Sequence, residues 1–478
     1  MHWRTTVILL LITVGVGTYV SLYELKQPTR EERDTLTKQV VSIPPEAVTQ
    51  LTLRASKGQL VVEHTARGWR LVPQGARADE SRISDLLNQL NPLAAQRTLS
   101  GSPKKPLEYT AFGLSPERGA LTLLAHGRST TILFGDNTPV GKERYAKRAD
   151  RPEVYVVSTS LFDESDVPPE QFRDPYLLPV KHWTVGTLAV TTQTSAFALA
   201  NNGEAWWVMQ PLEDRADRGT VTTLVNRIGS LRIARFVEDA PQVERLAEWG
   251  FDHPKAELRV TMTDAPDPVT VFFGKTVPDA PGMVYAKRSD EPALYAVAAA
   301  DLDALLLDPH DLRSKACFEF FTSQVTKIEL QSWQTHWTAR KLDDGWRAEK
   351  ENVGTALDAG RVESFLNTAS DLRLSGFVED APEKLGRYGL DPPRGTLAIW
   401  IEGAEAPQQR LLVGEVVPGT TNRYGFIEGR PAVLRLPEPV TTLLQTTLDA
   451  LRPEATAATA GASPVAATVP PSAPNAPR

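Results

Sequence analysis

Four landmarks recur in this chain three times, in the same order and at nearly constant distance. A tryptophan closing a short strand stands at Trp69, Trp207 and Trp346. A glycine after a short helical run stands at Gly113, Gly250 and Gly389. An apolar-Gly-x-x-x-Pro unit begins at Gly135, Gly274 and Gly414, and a tyrosine follows at Tyr145, Tyr285 and Tyr424. Every landmark returns after almost the same interval. That period is too long for a solenoid repeat and long enough for each copy to own a core. The expectation is three homologous modules in series, 48–178, 179–320 and 321–452.

Each copy reads alike locally. Two strands precede a third that carries the tryptophan, and a helix then opens at Asp79, Asp217 or Asp358. Aspartate suits that place because its carboxylate accepts the free N–H groups of a first turn. Apolar residues at helical spacing follow, such as Ile83, Leu86, Leu87 and Leu90. A shorter helix is expected to start near Pro106, Pro241 or Pro382 and to stop at Gly113, Gly250 or Gly389. The second half of each copy alternates in strands, with a hairpin around Ala149–Pro152, Ser289–Pro292 or Glu428–Pro431. The fold class is therefore α+β: three tandem modules of mainly antiparallel sheet with packed helices.

Arg4 precedes Val7–Tyr23, a run without charge. Seventeen helical residues, rising about 1.5 Å each, come close to the hydrocarbon thickness of a bilayer, about 30 Å. Gly15 and Gly17 make a poor cleavage site, so residues 1–23 are expected to stay as a single-pass anchor. Residues 24–47 then form a charged spacer, and 453–478, rich in Ala, Pro, Thr and Ser, a disordered tail. Lys26, Arg30 and Arg33 beyond the run argue against export by a simple positive-inside count. A long following domain is exported regardless of nearby charge, however, so the modules are placed outside the cytoplasmic membrane. With 52 basic and 59 acidic residues there is no broad basic field for nucleic acid, and the single Cys317 excludes an internal disulfide.

The chemistry-bearing residues read as structural. The seven histidines lie at no metal-ligand spacing, and no nucleophile elbow occurs. Gly135–Lys142 has the wrong interval for a phosphate loop, with Glu143 where a hydroxyl would be needed. The segment Phe-Val-Glu-Asp-Ala-Pro occurs at 236–241 and again at 377–382, and copy one lacks it. Its acids are read as helix N-caps, the alternative being general acid–base work by Glu238 or Glu379. Lys147-Arg148 and Lys287-Arg288 lie on strands, where neighbours face opposite ways. They are read as solvated hairpin surface, with an anionic-ligand site as the alternative. Trp69, Trp207 and Trp346 are expected in the core, and Trp206 on the surface.

The W-x-x-x-P strand, the Asp-opened helix, the stop Tyr388-Gly389-Leu390-Asp391-Pro392 and the Phe-Gly-x-x-x-Pro…Tyr-Ala-Lys-Arg run resemble a bacterial family. It is a membrane-anchored domain of unknown function, often encoded beside ABC transporters of the gliding-motility auxiliary type. Copy three departs from it, with Gly425-Phe426-Ile427 in place of Ala-Lys-Arg. The resemblance implies ABC transporter subunits as partners and assigns no activity. The expectation is a non-enzymatic envelope protein without cofactor or metal, a binding or scaffolding arm at the inner membrane. The alternatives are an envelope hydrolase or glycan-binding enzyme using the Glu-Asp pairs, and a purely structural periplasmic spacer.

Overall fold

The computed structural model describes residues 38–349 and 354–454. The expected anchor, residues 24–37 of the spacer and the tail beyond 454 lie outside them. Among the described residues no helix is long and apolar enough to cross a membrane.

Three antiparallel sheets carry the repeat. The first runs Gly68–Leu71, Gly58–Thr65, Val48–Ala55, Gly119–Ala125, Arg128–Asn137, Glu143–Arg148, Val154–Ser158, Arg97–Leu99. The third runs Gly345–Glu349, His336–Leu342, Val325–Gln331, Gly395–Ile401, Gln409–Val416, Arg423–Ile427, Ala432–Leu436, Gly376–Asp380. Numbered within a copy, both read 3-2-1-5-6-7-8-4. The nine-stranded middle sheet repeats this order and adds Asp214–Arg215 at one end. The fourth strand of each copy leaves the helix and closes the far edge of the sheet, against the eighth.

Each copy has one longer helix, Glu80–Gln89, Arg218–Gly229 and Ala359–Ser370, and the first and third pack on their sheets. Each opens on its aspartate. Asp79, Asp217 and Asp358 accept from the backbone N–H of Arg82, Thr220 and Arg361 at 3.1, 2.8 and 2.9 Å. Ile83, Leu86 and Leu87 bury against Leu51, Leu121, Ile132 and Phe134, the core of copy one. Val362, Phe365 and Leu366 do the same over Ile328, Leu397 and Leu411 in copy three.

The short helices of the middle segment are 3-10 turns, Tyr109–Phe112, Val243–Arg245 and Gly386–Tyr388. Gly113, Gly250 and Gly389 follow them at φ 65°, 84° and 67°, where a β-carbon is strained. Gly135, Gly274 and Gly414 have a different reason. A β-carbon there would stand 2.1–2.2 Å from the carbonyl oxygen of Phe112, Trp249 or Tyr388, so only glycine lets the strand pass the turn. That close approach, not a phosphate cradle, is what the Gly-x-x-x-Pro unit serves.

Two expectations are corrected at this level. Residues 38–47 are not free spacer: Gln39–Val41 pairs with Leu93–Ala94, and Val40 and Val41 are buried. The tryptophans of copy two are also exchanged. Trp206 pairs with Asn201, just as Trp69 pairs with His64 and Trp346 with Lys341, and Trp206 is the buried one while Trp207 is half-buried. A bulge is the cause. Leu199 pairs with Val208 but Ala198 with Gln210, so the strand holds one extra residue before Pro211 and the Trp-to-Pro spacing points at the wrong tryptophan.

The described chain divides into two compact units that cut across the repeat. One takes the chain up to Lys181 with Asn226–Glu257 and Val269–Leu305; the other takes His182–Val225, Leu258–Pro268 and the chain from Leu306. The first thus holds copy one and strands of copy two, the second the remaining strands of copy two and copy three.

Candidate functional site

The repeated polar residues converge where one copy passes into the next. The first passage lies wholly within the first unit and the second wholly within the second. Each is built on a short extended segment that pairs on both sides. In the first, Asp79 N–H donates to Phe172 O at 2.8 Å and Asp174 N–H to Arg77 O at 3.0 Å. The segment then turns to copy two, where Leu177 N–H reaches Leu231 O and Ile233 N–H reaches Pro175 O, both at 2.8 Å. In the second passage the same four bonds recur. Asp217 donates to Leu312, Ser314 to Arg215, Cys317 to Leu372 and Leu374 to Lys315, at 2.7, 2.8, 3.0 and 2.7 Å. Cys317 is buried in this segment, and burial pushes its thiol up to about 12, which leaves it protonated and inert.

An arginine follows the first residue of each segment and locks it to the next copy. Arg173 lies 4.0 Å over the ring of Phe236 and pairs with Asp239. Arg313 lies 3.7 Å over Phe377 and donates to Asp380 at 2.7 Å. A guanidinium stacked on a ring and held by a carboxylate keeps both its cation–π and its charge-assisted contact. The repeated Phe-Val-Glu-Asp is thus the receiving half of a joint, and copy one has Thr98 where the others have phenylalanine. The N-cap reading is overturned: the motif ends a strand, and neither 3-10 turn after it takes a side-chain cap. Its glutamates point into their own copy. Glu238 accepts from Arg245 at 3.2 Å, and Glu379 accepts from Tyr388 Oη at 2.6 Å and pairs with Arg387. Arg387 first, then Tyr388, holds the Glu379 carboxyl below its usual range.

A buried acid stands at the centre of each joint, and the two joints take it from opposite sides. In the first it is Glu291, on the hairpin turn of copy two. It meets Arg77 of copy one at 3.2 Å and Arg288 of its own copy at 3.2 Å, and accepts from Tyr295 Oη at 2.8 Å. Arg77 also pairs with Asp174 and donates to Tyr176 O at 2.7 Å. In the second joint the acid is Asp214 of copy two, and the hairpin turn of copy three supplies the cation. Arg430 reaches Asp214 through Nε and Nη2, both at 2.8 Å, and Arg313 adds a third bond at 2.7 Å. Burial pushes the Asp214 carboxyl up, and Arg430 and Arg313 outweigh it, so its net shift is downward. The sign of the hairpin residue is reversed between the joints, Glu291 in one and Arg430 in the other.

The Lys-Arg pairs belong to the same construction, which corrects the solvated-surface reading. Arg148 and Arg288 each fold back on the turn aspartate, Asp150 or Asp290, at 2.7 Å. Their remaining nitrogens grip the chain entering the copy, at Val40 O (3.2 Å) and Leu177 O (2.7 Å). Arg288 is buried, and Lys287 donates to the carbonyls of Arg288 and Glu291 at 3.0 and 3.1 Å. Copy three has Ile427 at the arginine position, and there Arg430 takes the entering carbonyls, those of Ser314 and Ala316. Half-buried Trp207 stacks with Arg215 at 5.6 Å, beside the second joint. Among the described residues no group of three or more His, Cys, Asp or Glu is placed to hold a metal ion.

One signal in the sequence could have exposed these joints. Phe172-Arg173 and Leu312-Arg313 end copies one and two just as Leu451-Arg452 ends copy three, where Asp358 N–H again donates to Leu451 O, at 2.8 Å. No curated protein and no solved structure matches the chain. Four overlapping stretches, residues 18–111, 102–242, 206–378 and 350–462, match one family model, and the second and third of them run across the two joints. The chain is therefore a member of the family described as Domain of unknown function (DUF4340), repeated along its length.

Proposed function

We propose that this chain is a non-enzymatic, membrane-anchored envelope protein whose jointed copies form a binding or scaffolding arm for a membrane partner. One observation carries the reading: the residues that recur between copies and could do chemistry are engaged in joints and clamps. Asp239, Asp380, Glu291 and Asp214 hold arginines across the joints, and Glu238 and Glu379 hold a turn within a copy. A carboxylate whose oxygens are taken up by guanidinium contacts is not free to face a substrate and move its proton. The partner class, an ABC transporter, comes from the family resemblance, the anchor from the uncharged run Val7–Tyr23, and the outward orientation from the long domain that follows it.

Purification of the full-length chain from its own membranes in mild detergent tests this. Transporter subunits are expected to co-purify, from the unaltered chain and from E238A/E379A alike. Recovery of no transporter subunit counts against the partner. Loss of biological function in E238A/E379A with unchanged folding and unchanged partner recovery would favour the enzyme reading instead.

A further inference from the structure

The receiving face of copy one differs in charge from that of the other two. In copies two and three the edge strand ends in Glu238-Asp239 and Glu379-Asp380. In copy one the equivalent strand, Arg97–Leu99, runs into Ser100-Gly-Ser-Pro-Lys-Lys-Pro106. That loop is a closed turn: Ser102 and Lys105 exchange backbone hydrogen bonds at 3.0 and 2.9 Å, and Lys104 and Lys105 stand exposed at its tip. Beside it is the hairpin turn whose third residue enters the joints as Glu291 and Arg430; in copy one this is Arg151, and it is exposed. Tyr109 Oη ties the two loops together by donating to Pro152 O at 3.0 Å, across a cleft of about 330 Å³. Arg97 is exposed on the edge strand. Of the acids nearby, Asp150 is held by Arg148, leaving Glu108 and Glu153 against four cations.

The chain enters copy one at Gln39–Val41. Only residues 24–38 separate that entry from the end of the uncharged run. Fully extended chain advances at most about 3.6 Å per residue, so the link tethers copy one within about 50 Å of the membrane and allows it to lie against the surface. We propose that this face of copy one docks on an anionic lipid surface, with Lys104, Lys105 and Arg151 meeting the headgroup phosphates. The proposal rests on the membrane-anchored reading above. Clustered Lys and Arg next to an anchor are drawn to anionic headgroups, and the attraction fades within a Debye length, so it holds only when the face lies close to the membrane.

The test uses the full-length chain in vesicles. Cys317 is buried, so a cysteine at S102C can be labelled selectively with a fluorophore, and the vesicles carry a quencher on a fraction of their headgroups. Quenching several-fold stronger in phosphatidylglycerol than in phosphatidylcholine vesicles is expected, with loss in about 1 M salt, where screening shortens to ~3 Å. K104E/K105E/R151E, and more mildly K104Q/K105Q/R151Q, should lose it as well. All three side chains are exposed, so the fold should survive these changes. If the chain floats with the vesicles but quenching is absent, or is indifferent to lipid charge and salt, this proposal falls alone. If the chain does not float with vesicles at all, the anchored reading falls with it.

Discussion

Asp214→Asn removes the charge on which the second joint closes. The Asp214 side chain is 0% exposed, and its partners Arg313 and Arg430 are 3% and 7% exposed, so solvent screens the pairing little. Removing one member of a buried ion pair costs about 3–5 kcal/mol, because the remaining charge stays buried and unpaired. Here both cations keep other partners. Arg313 retains Asp380 and the Phe377 ring, and Arg430 retains the carbonyls of Ser314 and Ala316. The expected loss is therefore at the lower end, about 3 kcal/mol. Urea unfolding followed by tryptophan fluorescence measures it, provided the transition of the second unit is resolved, since a chain of several units need not unfold in one step. D214N/R430M should cost less than the sum of its single variants by about 1–3 kcal/mol, because the two residues act on each other. The pH dependence has a definite sign. The Asp214 carboxyl is shifted downward in the folded chain, so its contribution is full above about pH 4 and is lost as the pH falls below that. D214N should lack that part of the acid limb. A cost below about 1 kcal/mol, or strict additivity with R430M, would refute the reasoning.

Three further outcomes are expected. Trp206→Ala should cost about 3–5 kcal/mol as a core truncation and Trp207→Ala clearly less, measured by the same unfolding assay; the reverse order would restore the original alignment of the tryptophans. Gly274→Ala places a β-carbon 2.2 Å from the Trp249 carbonyl oxygen, a backbone atom that cannot step aside. It should destabilise by about 1–3 kcal/mol or more, and a neutral thermal melt would contradict the close approach. A reporter active only outside the cytoplasm, fused after Pro453, should be active; activity of a cytoplasm-only reporter there would reverse the orientation.

Much of the fold was legible because its signals are local. The capping aspartates, the glycines beyond the 3-10 turns and the turn residues of the hairpins act over three or four positions, and their period revealed the copies. What the sequence concealed depends on distance or on register. Arg173 and Asp239 are 66 residues apart, and nothing next to the Phe-Val-Glu-Asp segment shows that an arginine from the previous copy lies on its phenylalanine. Locally the following Ala-Pro suggests a helix start, to which the acids would belong as caps. Strand alternation alone puts the members of each Lys-Arg pair on opposite faces and omits the turn aspartate that draws each guanidinium inward. The tryptophan exchange came from one bulged residue at a place where two tryptophans adjoin, so that spacing to the next proline and spacing to the previous strand gave different answers.

In this structure the recurring charged motifs fasten copy to copy. Backbone hydrogen exchange in Arg313→Met tests it most directly, since methionine keeps an apolar stem over Phe377 while removing the contacts to Asp380 and Asp214. The amides of Ser314, Cys317 and Leu374 bridge the second joint. They should exchange faster by roughly ten-fold or more, as expected where a charge-assisted hydrogen bond worth about 1.5–3 kcal/mol is lost. Those of Asp174, Leu177 and Ile233 in the first joint should be unchanged. Unaltered protection at all six amides would contradict the account.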